Sequence, residues 1–319
     1  MDTPFEGALT KRLQSAIISS ASNVILTKAR AMYGKSLKMK DFRNLIGCHS
    51  VGEVASYLKN TPSYSSVFSG INETTIHRGH LELLLRRKLF EDYVALGRYD
   101  AVAGMQSFDY LLVKSEIELI ISCLRLINAG SAEDILFAMP MFFASHTRLN
   151  LHAMTKCRTF SEMLSALEHT RYYKLLSGFT PNSDGQIPLT ETETALYTEL
   201  TNISFGIISR SHGSVRQEMQ ELLGTQVDAQ NINRILRLKK YFNMPADKIR
   251  QHLLPSGMLS PRIINSMIEA QSSEEIINIF LSTKLGRRLP QSQRMSIYDL
   301  HQRIPYFNAR RYIHYSSQE

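Results

Sequence analysis

The residues with the sharpest chemical implication come early. Gly34-Lys35-Ser36, inside ARAMYGKSLKMKDF, has the ending of a phosphate-binding loop. Such a loop cradles phosphates with backbone N–H groups and requires another glycine five residues before the last one, with a buried strand in front. Here that position is Ala29, and the preceding LQSAIISSASNVILTKARAM has helical spacing with no compact strand. ATP is therefore not expected to bind at Lys35. Gly34 reads as the end of a first helix, where glycine tolerates the left-handed cap and Lys35 faces the negative end of the helix dipole. His77 and His80, with Glu82 nearby, could share a helix face as metal ligands, but they follow Asn72-Glu73-Thr74 and sit where a polar helix start would be. Cys48, Cys123 and Cys157 are odd in number and widely spaced, which argues against a disulfide framework or a zinc site and fits a reducing cytoplasm. The chain has no Gly-x-Ser-x-Gly elbow and no His-Glu-x-x-His pair. No catalytic residue, cofactor or metal is assigned, and the chain by itself is not read as an enzyme.

The 319 residues are 43% hydrophobic and 21% charged, the balance of an ordinary folded protein long enough for several connected cores. The N-terminus lacks the basic start and apolar run of a secretory signal. The longest apolar run, Ile135 to Ala144, is interrupted by Pro140 and is expected in a core, not in a membrane. The formal charge of +8 and a pI near 9.3 allow nucleic acid, anionic lipid headgroups or an acidic protein as partner. The basic doublets Arg86-Arg87, Lys239-Lys240, Arg287-Arg288 and Arg310-Arg311 are scattered through helical contexts, so no specific nucleic-acid partner is expected. Methionines in AMPMFF and GMLSPRIINSM read as flexible core filling.

The elements that carry these residues repeat. SVGEVASYLKNT from Ser50, TFSEMLSALEHT from Thr159 and SSEEIINIFLST from Ser272 align without gaps. Each opens with Ser or Thr and has Glu three residues later (Glu53, Glu162, Glu275), the pattern of a capping box. The pattern alone is common, and occurs also at Thr3 to Glu6 and Ser115 to Glu118. The three segments further share apolar pairs at i, i+4 (Val54/Leu58, Met163/Leu167, Ile276/Phe280) and a closing threonine (Thr61, Thr170, Thr283). Independently, EIELIISCLRL from Glu116 aligns with DAQNINRILRL from Asp228, placing Arg125 and Arg237 in register 112 residues apart; Thr159 and Ser272 are 113 apart. Polar, Pro-containing connections follow each capped helix, and period-two alternation is scarce, although Asp184-Gly185 could form a turn. The expectation is an all-α protein of three related helical units, residues 1–72, 73–185 and 186–319, with a pseudo-threefold internal repeat.

NINRILRLKKYFNMPADKIRQHLLPSGMLSP resembles the C-subunit family of V-type and A-type rotary ATPases, whose eukaryotic vacuolar relative is called the d subunit. The matching features are the helix Asn231 to Arg237, the Leu-Leu-Pro-x-Gly at Leu253 to Gly257, and Leu259-Ser260; ARAMYGKSL is similar to the family's N-terminal segment. The resemblance implies a funnel-like body of three helical units, seated on the cytoplasmic side of the membrane-embedded proteolipid ring. It further implies that this body receives the central stalk in its cavity and transmits torque for ion transport without touching ATP. Where the family carries an Asn and an additional Arg before the Arg-Ala-Met, this chain has Leu26 and Lys28. The family's pattern also continues past a region like NARRYIHYSSQE into one more helix, whereas the sequence ends at Glu319, so the third unit is expected to lack its closing helix.

Arg125 and Arg237 are the candidate partner-interface residues. They lie off the stripe formed by Ile120/Ile232 and Leu124/Leu236. Two roles stay open: neutralising helix ends or pairing with Glu116 and Asp228, or lining the cavity that receives the stalk. The rival reading of the whole chain is a helical-repeat scaffold or a nonspecific nucleic-acid binder.

Overall fold

The computed structural model describes residues 23–103, 107–210 and 213–288, with Ile304 and Ala309, and every regular element among them is a helix. The expected all-α class is what the chain adopts. Residues 23–34 form α1, followed by α2 (Met39–Ile46), α3 (Val51–Lys59), α4 (Arg78–Ala103) and α5 (Ser107–Asn128). Short helices follow: α6 (Ile135–Ala138), entered through a 3₁₀ turn, α7 (Leu151–Met154), α8 (Phe160–Ala166) and α9 (Arg171–Leu176). Then come α10 (Leu189–Ser209), α11 (Gly213–Phe242), α12 (Ala246–Gln251), α13 (Pro261–Glu269) and α14 (Ser273–Ser282). The chain divides into two compact units with the boundary between Thr170 and Arg171. No described helix is long and apolar enough to cross a membrane.

The three aligned helix starts share two contacts, and at Thr159 the glutamate also accepts the cap's own N–H at 3.2 Å. Ser50, Thr159 and Ser272 take extended backbone, and their hydroxyls accept the N–H of Glu53, Glu162 and Glu275 at 3.1, 3.3 and 3.1 Å. Each glutamate then reaches back to the residue before the cap, accepting the N–H of His49, Arg158 and Gln271 at 2.7, 2.6 and 2.7 Å. Donors that a helix start leaves unpaired are thereby satisfied. The closing threonines also act alike: Thr61, Thr170 and Thr283 donate their hydroxyls to the carbonyls of Tyr57, Leu167 and Phe280. Ser115 shows why the local pattern is insufficient, because it lies inside α5 and donates to Leu111 O at 2.9 Å. Thr3 to Glu6, Arg310-Arg311 and most of NARRYIHYSSQE fall outside the described residues.

Behind the caps, apolar stripes bury. In the first compact unit Ala55 and Leu58 of α3 pack with Val67, Phe68, Ile76, Leu81 and Leu84. In the second, Ile232, Ile235 and Leu236 of α11 pack with Ile249, Met267, Ile276 and Phe280. Full burial of each such side chain contributes about 1.5–3 kcal/mol before entropy is counted. Both matched long helices end on a left-handed residue: Gly130 (φ 70°) after α5 and Asn243 (φ 43°) after α11.

Three expectations need correction. Gly34 is the last residue of α1 and does not take a left-handed conformation; Lys35 N–H continues the helical pattern to Ala31 O at 3.3 Å and Met32 O at 3.1 Å, so the helix ends by a tightening turn. The apolar run from Ile135 is only partly core: Ile135, Met139 and Phe143 are buried at a four-residue spacing, while Leu136, Phe137 and Met141 face outward. Likewise Met267 fills the core, but Met258 is exposed. The Asp184-Gly185 turn, by contrast, forms as expected and without strands, closed by Asn182, whose side-chain oxygen accepts the N–H of Asp184 at 3.1 Å and of Gln186 at 2.8 Å.

Candidate functional site: a helix that clamps its own loop

Asp228, Asn231 and Arg234 follow one another at three-residue spacing on α11, beside the buried positions Ala229, Ile232 and Ile235. Their side chains take hold of the returning segment His252 to Leu259 in reverse order. Arg234 Nη1 donates to His252 O at 3.1 Å and to Thr194 Oγ1 at 2.8 Å, with its guanidinium 5.6 Å from the centre of the Tyr197 ring. Asn231 makes a two-way pair with the backbone of Leu254, donating Nδ2–H to its carbonyl at 2.9 Å and accepting its N–H at 2.8 Å. Asp228 Oδ2 accepts the N–H of Met258 at 2.9 Å and of Leu259 at 3.0 Å. A loop with few partners of its own is thus fixed to a helix at three points, which satisfies backbone groups that burial would otherwise strand.

The clamp accounts for the motif. Gly257 is required because a Cβ there would overlap Asp228 Oδ1, and the preceding Ser256 is held at φ 70°, a conformation that L residues visit at a cost of about 1–2 kcal/mol. Burial raises the Asp228 carboxyl to about 7, opposed by the two N–H donors from Met258 and Leu259; its Oδ1 is buried without a hydrogen-bond partner. Burial also lowers Arg234 from the ordinary arginine value. Sequence reasoning identifies the stretch by resemblance but misses what these three residues do. The available signal is polar side chains at i, i+3 and i+6 beside a buried stripe, which a solvated face does not need.

In the first compact unit, Glu116 stands where Asp228 stands in the matched stretch, and it too is buried. It accepts the hydroxyl of Thr147 from the segment beyond α6, and Thr147 Oγ1 in turn accepts the N–H of Leu149 at 3.0 Å.

Arg125 lies on the exposed side of α5 in its last turn, and Arg237 on the exposed side of α11, before the lysines of its last turn. Asp228 is not the partner of Arg237. One of its oxygens holds the loop and the other has no hydrogen bond, and nine helical residues separate the two by about 13 Å along the axis.

Lys35 and Ser36 line an open groove of about 720 Å³ shared with Asp41, Glu53 and Tyr57, and the chain before Lys35 is helix where a phosphate loop would have a strand and a turn. His77 Nδ1 accepts the N–H of His80 at 3.3 Å at the start of α4, and Glu82 pairs with Arg78 at 2.7 Å. The three cysteines are free; burial pushes Cys123 up to about 12. Of the two departures near the start, Leu26 is exposed and Lys28 Nζ sits 5.1 Å over the Tyr99 ring.

The pattern of the family described as ATP synthase (C/AC39) subunit matches residues 25–317. The C subunit of the A-type ATP synthase of Methanosarcina mazei is 24% identical over 243 residues, 73% of this chain and 63% of the relative. Its counterpart from Methanosphaera stadtmanae is 24% identical over 263 residues, 81% of this chain and 65% of the relative. That from Pyrococcus horikoshii is 28% identical over 137 residues, 43% and 36% of the two chains. The chain therefore spans less than two thirds of the length of these relatives. With its match running from the third residue of α1 to within two residues of Glu319, the chain belongs to the ATP synthase (C/AC39) subunit family.

Proposed function

We propose that this chain is a non-catalytic coupling subunit of a V/A-type rotary ATPase or ATP synthase, linking the membrane proteolipid ring to the central stalk and passing torque between them. The observation that carries the reading is the family match over residues 25–317. Its physical support lies in stiffness: loops tied to helices by buried side chains, and helix starts closed by paired donors, resist the bending that a torque-bearing part must resist. The protein would sit peripherally on the cytoplasmic face of the membrane, built as three related helical units around an axial cavity. Arg125 and Arg237 would line that cavity, since positions in register on related units face a common axis.

Tagging the chain and purifying it from native membranes tests the reading. Ring and stalk subunits should accompany it; recovery alone, or with nucleic acid at physiological salt, would overturn it. The cavity assignment is checked by reversing both arginines. Arg125→Glu with Arg237→Glu should weaken stalk binding and flatten its salt dependence, while stability changes by no more than about 0.5 kcal/mol. Intact stalk binding in that variant would remove both residues from the interface.

A further inference from the structure

Helix α2 is mounted with its polar side inward. Asp41 Oδ1 accepts the Tyr57 hydroxyl at 2.7 Å, Asn44 Nδ2 donates to the same hydroxyl at 3.1 Å, and Asp41 Oδ2 accepts Lys38 N–H at 2.6 Å. The bonds to Tyr57 tie the helix to α3, with Leu37 and Leu45 touching the core beneath. No residue of α2 is buried. The apolar stripe at i, i+3 and i+7 faces away from the body: Met39, Phe42 and Ile46 are 70, 48 and 83% exposed, and Tyr33 in the last turn of α1 is 76% exposed. Single exposed apolar residues are ordinary, but a stripe at helical spacing on the outward side is not scattered surface.

The charge around this stripe is just as uneven. Residues 28–43 hold six Lys or Arg (Lys28, Arg30, Lys35, Lys38, Lys40, Arg43) against Asp41 alone, a surplus of five in a chain whose net charge is +8. Lys35, Lys38, Lys40 and Arg43 are exposed, and among the described residues none of them is in an ion pair; Lys38 Nζ rests 5.4 Å over the Tyr33 ring. A ridge of large apolar side chains edged by a surplus of cations is the surface of a helix that lies in a membrane interface, where the apolar side enters the headgroup boundary and long basic side chains reach lipid phosphates.

We propose that α2 and the turn before it form a lipid-facing foot, in which Tyr33, Met39, Phe42 and Ile46 enter an anionic bilayer surface while Lys35, Lys38, Lys40 and Arg43 engage its phosphates. The contact is with lipid itself and stands apart from the ring-and-stalk reading. The ridge favours a bilayer over a protein partner because its apolar side faces outward and its cations are long and, among the described residues, outside any ion pair, which suits a diffuse anionic plane better than one fixed carboxylate.

Vesicle co-sedimentation of the full chain supplies the test, with phosphatidylcholine vesicles compared with vesicles that also contain phosphatidylglycerol. Binding should require the anionic lipid and weaken with salt. Phe42→Glu with Ile46→Glu should lower partitioning by about tenfold or more without shifting the melting curve, since both side chains are exposed. Lys38→Glu with Lys40→Glu should reduce binding only to the anionic vesicles. Absence of binding, or binding that ignores both double variants, overturns the foot. If the variants leave vesicle binding intact but lose co-purifying protein subunits, the surface belongs to a protein partner and the lipid assignment falls. Failure on vesicles leaves co-purification with rotary subunits unaffected, so the two readings fail separately.

Discussion

The matched stretches of α5 and α11 place an acid at the same position, yet they secure the chain beyond them differently. Glu116 accepts the side-chain hydroxyl of Thr147. Asp228 takes two backbone N–H groups and is backed by Asn231 and Arg234, where α5 has Leu119 and Ser122. The longer glutamate meets a side chain; the shorter aspartate draws the backbone in so closely that Gly257 becomes obligatory. Helices matched in sequence can thus hold an acid at one position while differing in the groups that it secures. The second version fixes its loop at three points, and it leaves one carboxylate oxygen unsatisfied.

The largest expected effect comes from making α11 more like α5. Asn231→Leu installs the residue of the matched position but strands the buried N–H and C=O of Leu254, and should destabilise the second compact unit by about 3 kcal/mol in urea unfolding. A loss below about 1 kcal/mol would mean that the loop finds other partners and that the clamp is not what separates the two helices.

A smaller effect separates the two acids by pH. The Asp228 carboxyl is raised to about 7 in the folded chain, above its unfolded value near 3.9. Its contribution is therefore fully present below about pH 4 and is lost as pH rises through 7. Between pH 8 and pH 5 the second unit should gain on the order of 2 kcal/mol, and Asp228→Asn should remove that slope. A pH dependence that survives in the variant would assign the titration to another group.

The smallest effect tests what the regions have in common. Ser50→Ala, Thr159→Ala and Ser272→Ala should each cost about 1 kcal/mol, because all three caps are exposed and each hydroxyl accepts the N–H of the glutamate three residues on. A spread wider than about 1 kcal/mol among them would show that the shared geometry does not carry a shared energy.

What the sequence determined by itself is what acts within about one helical turn. A Ser or Thr with Glu three residues later and an apolar pair behind it was enough to place α3, α8 and α14, since cap donors and acceptors lie within four residues of each other. The 3.6-residue period likewise put Ile120, Leu124, Ile232 and Leu236 in cores and left Arg125 and Arg237 outside them. The motif around Asn231 to Gly257 was legible as a family signature, but its physical meaning was not. The bonds from Asp228, Asn231 and Arg234 to the returning segment join residues 18 to 31 positions apart, and whether a polar side chain on a helix faces water or a buried backbone depends on which segment crosses it. Tertiary structure alone decided the orientation of α2 for the same reason. Periodicity defines an apolar side of Met39, Phe42 and Ile46, but the hydroxyl of Tyr57, 16 residues from Asp41, turned the opposite side inward.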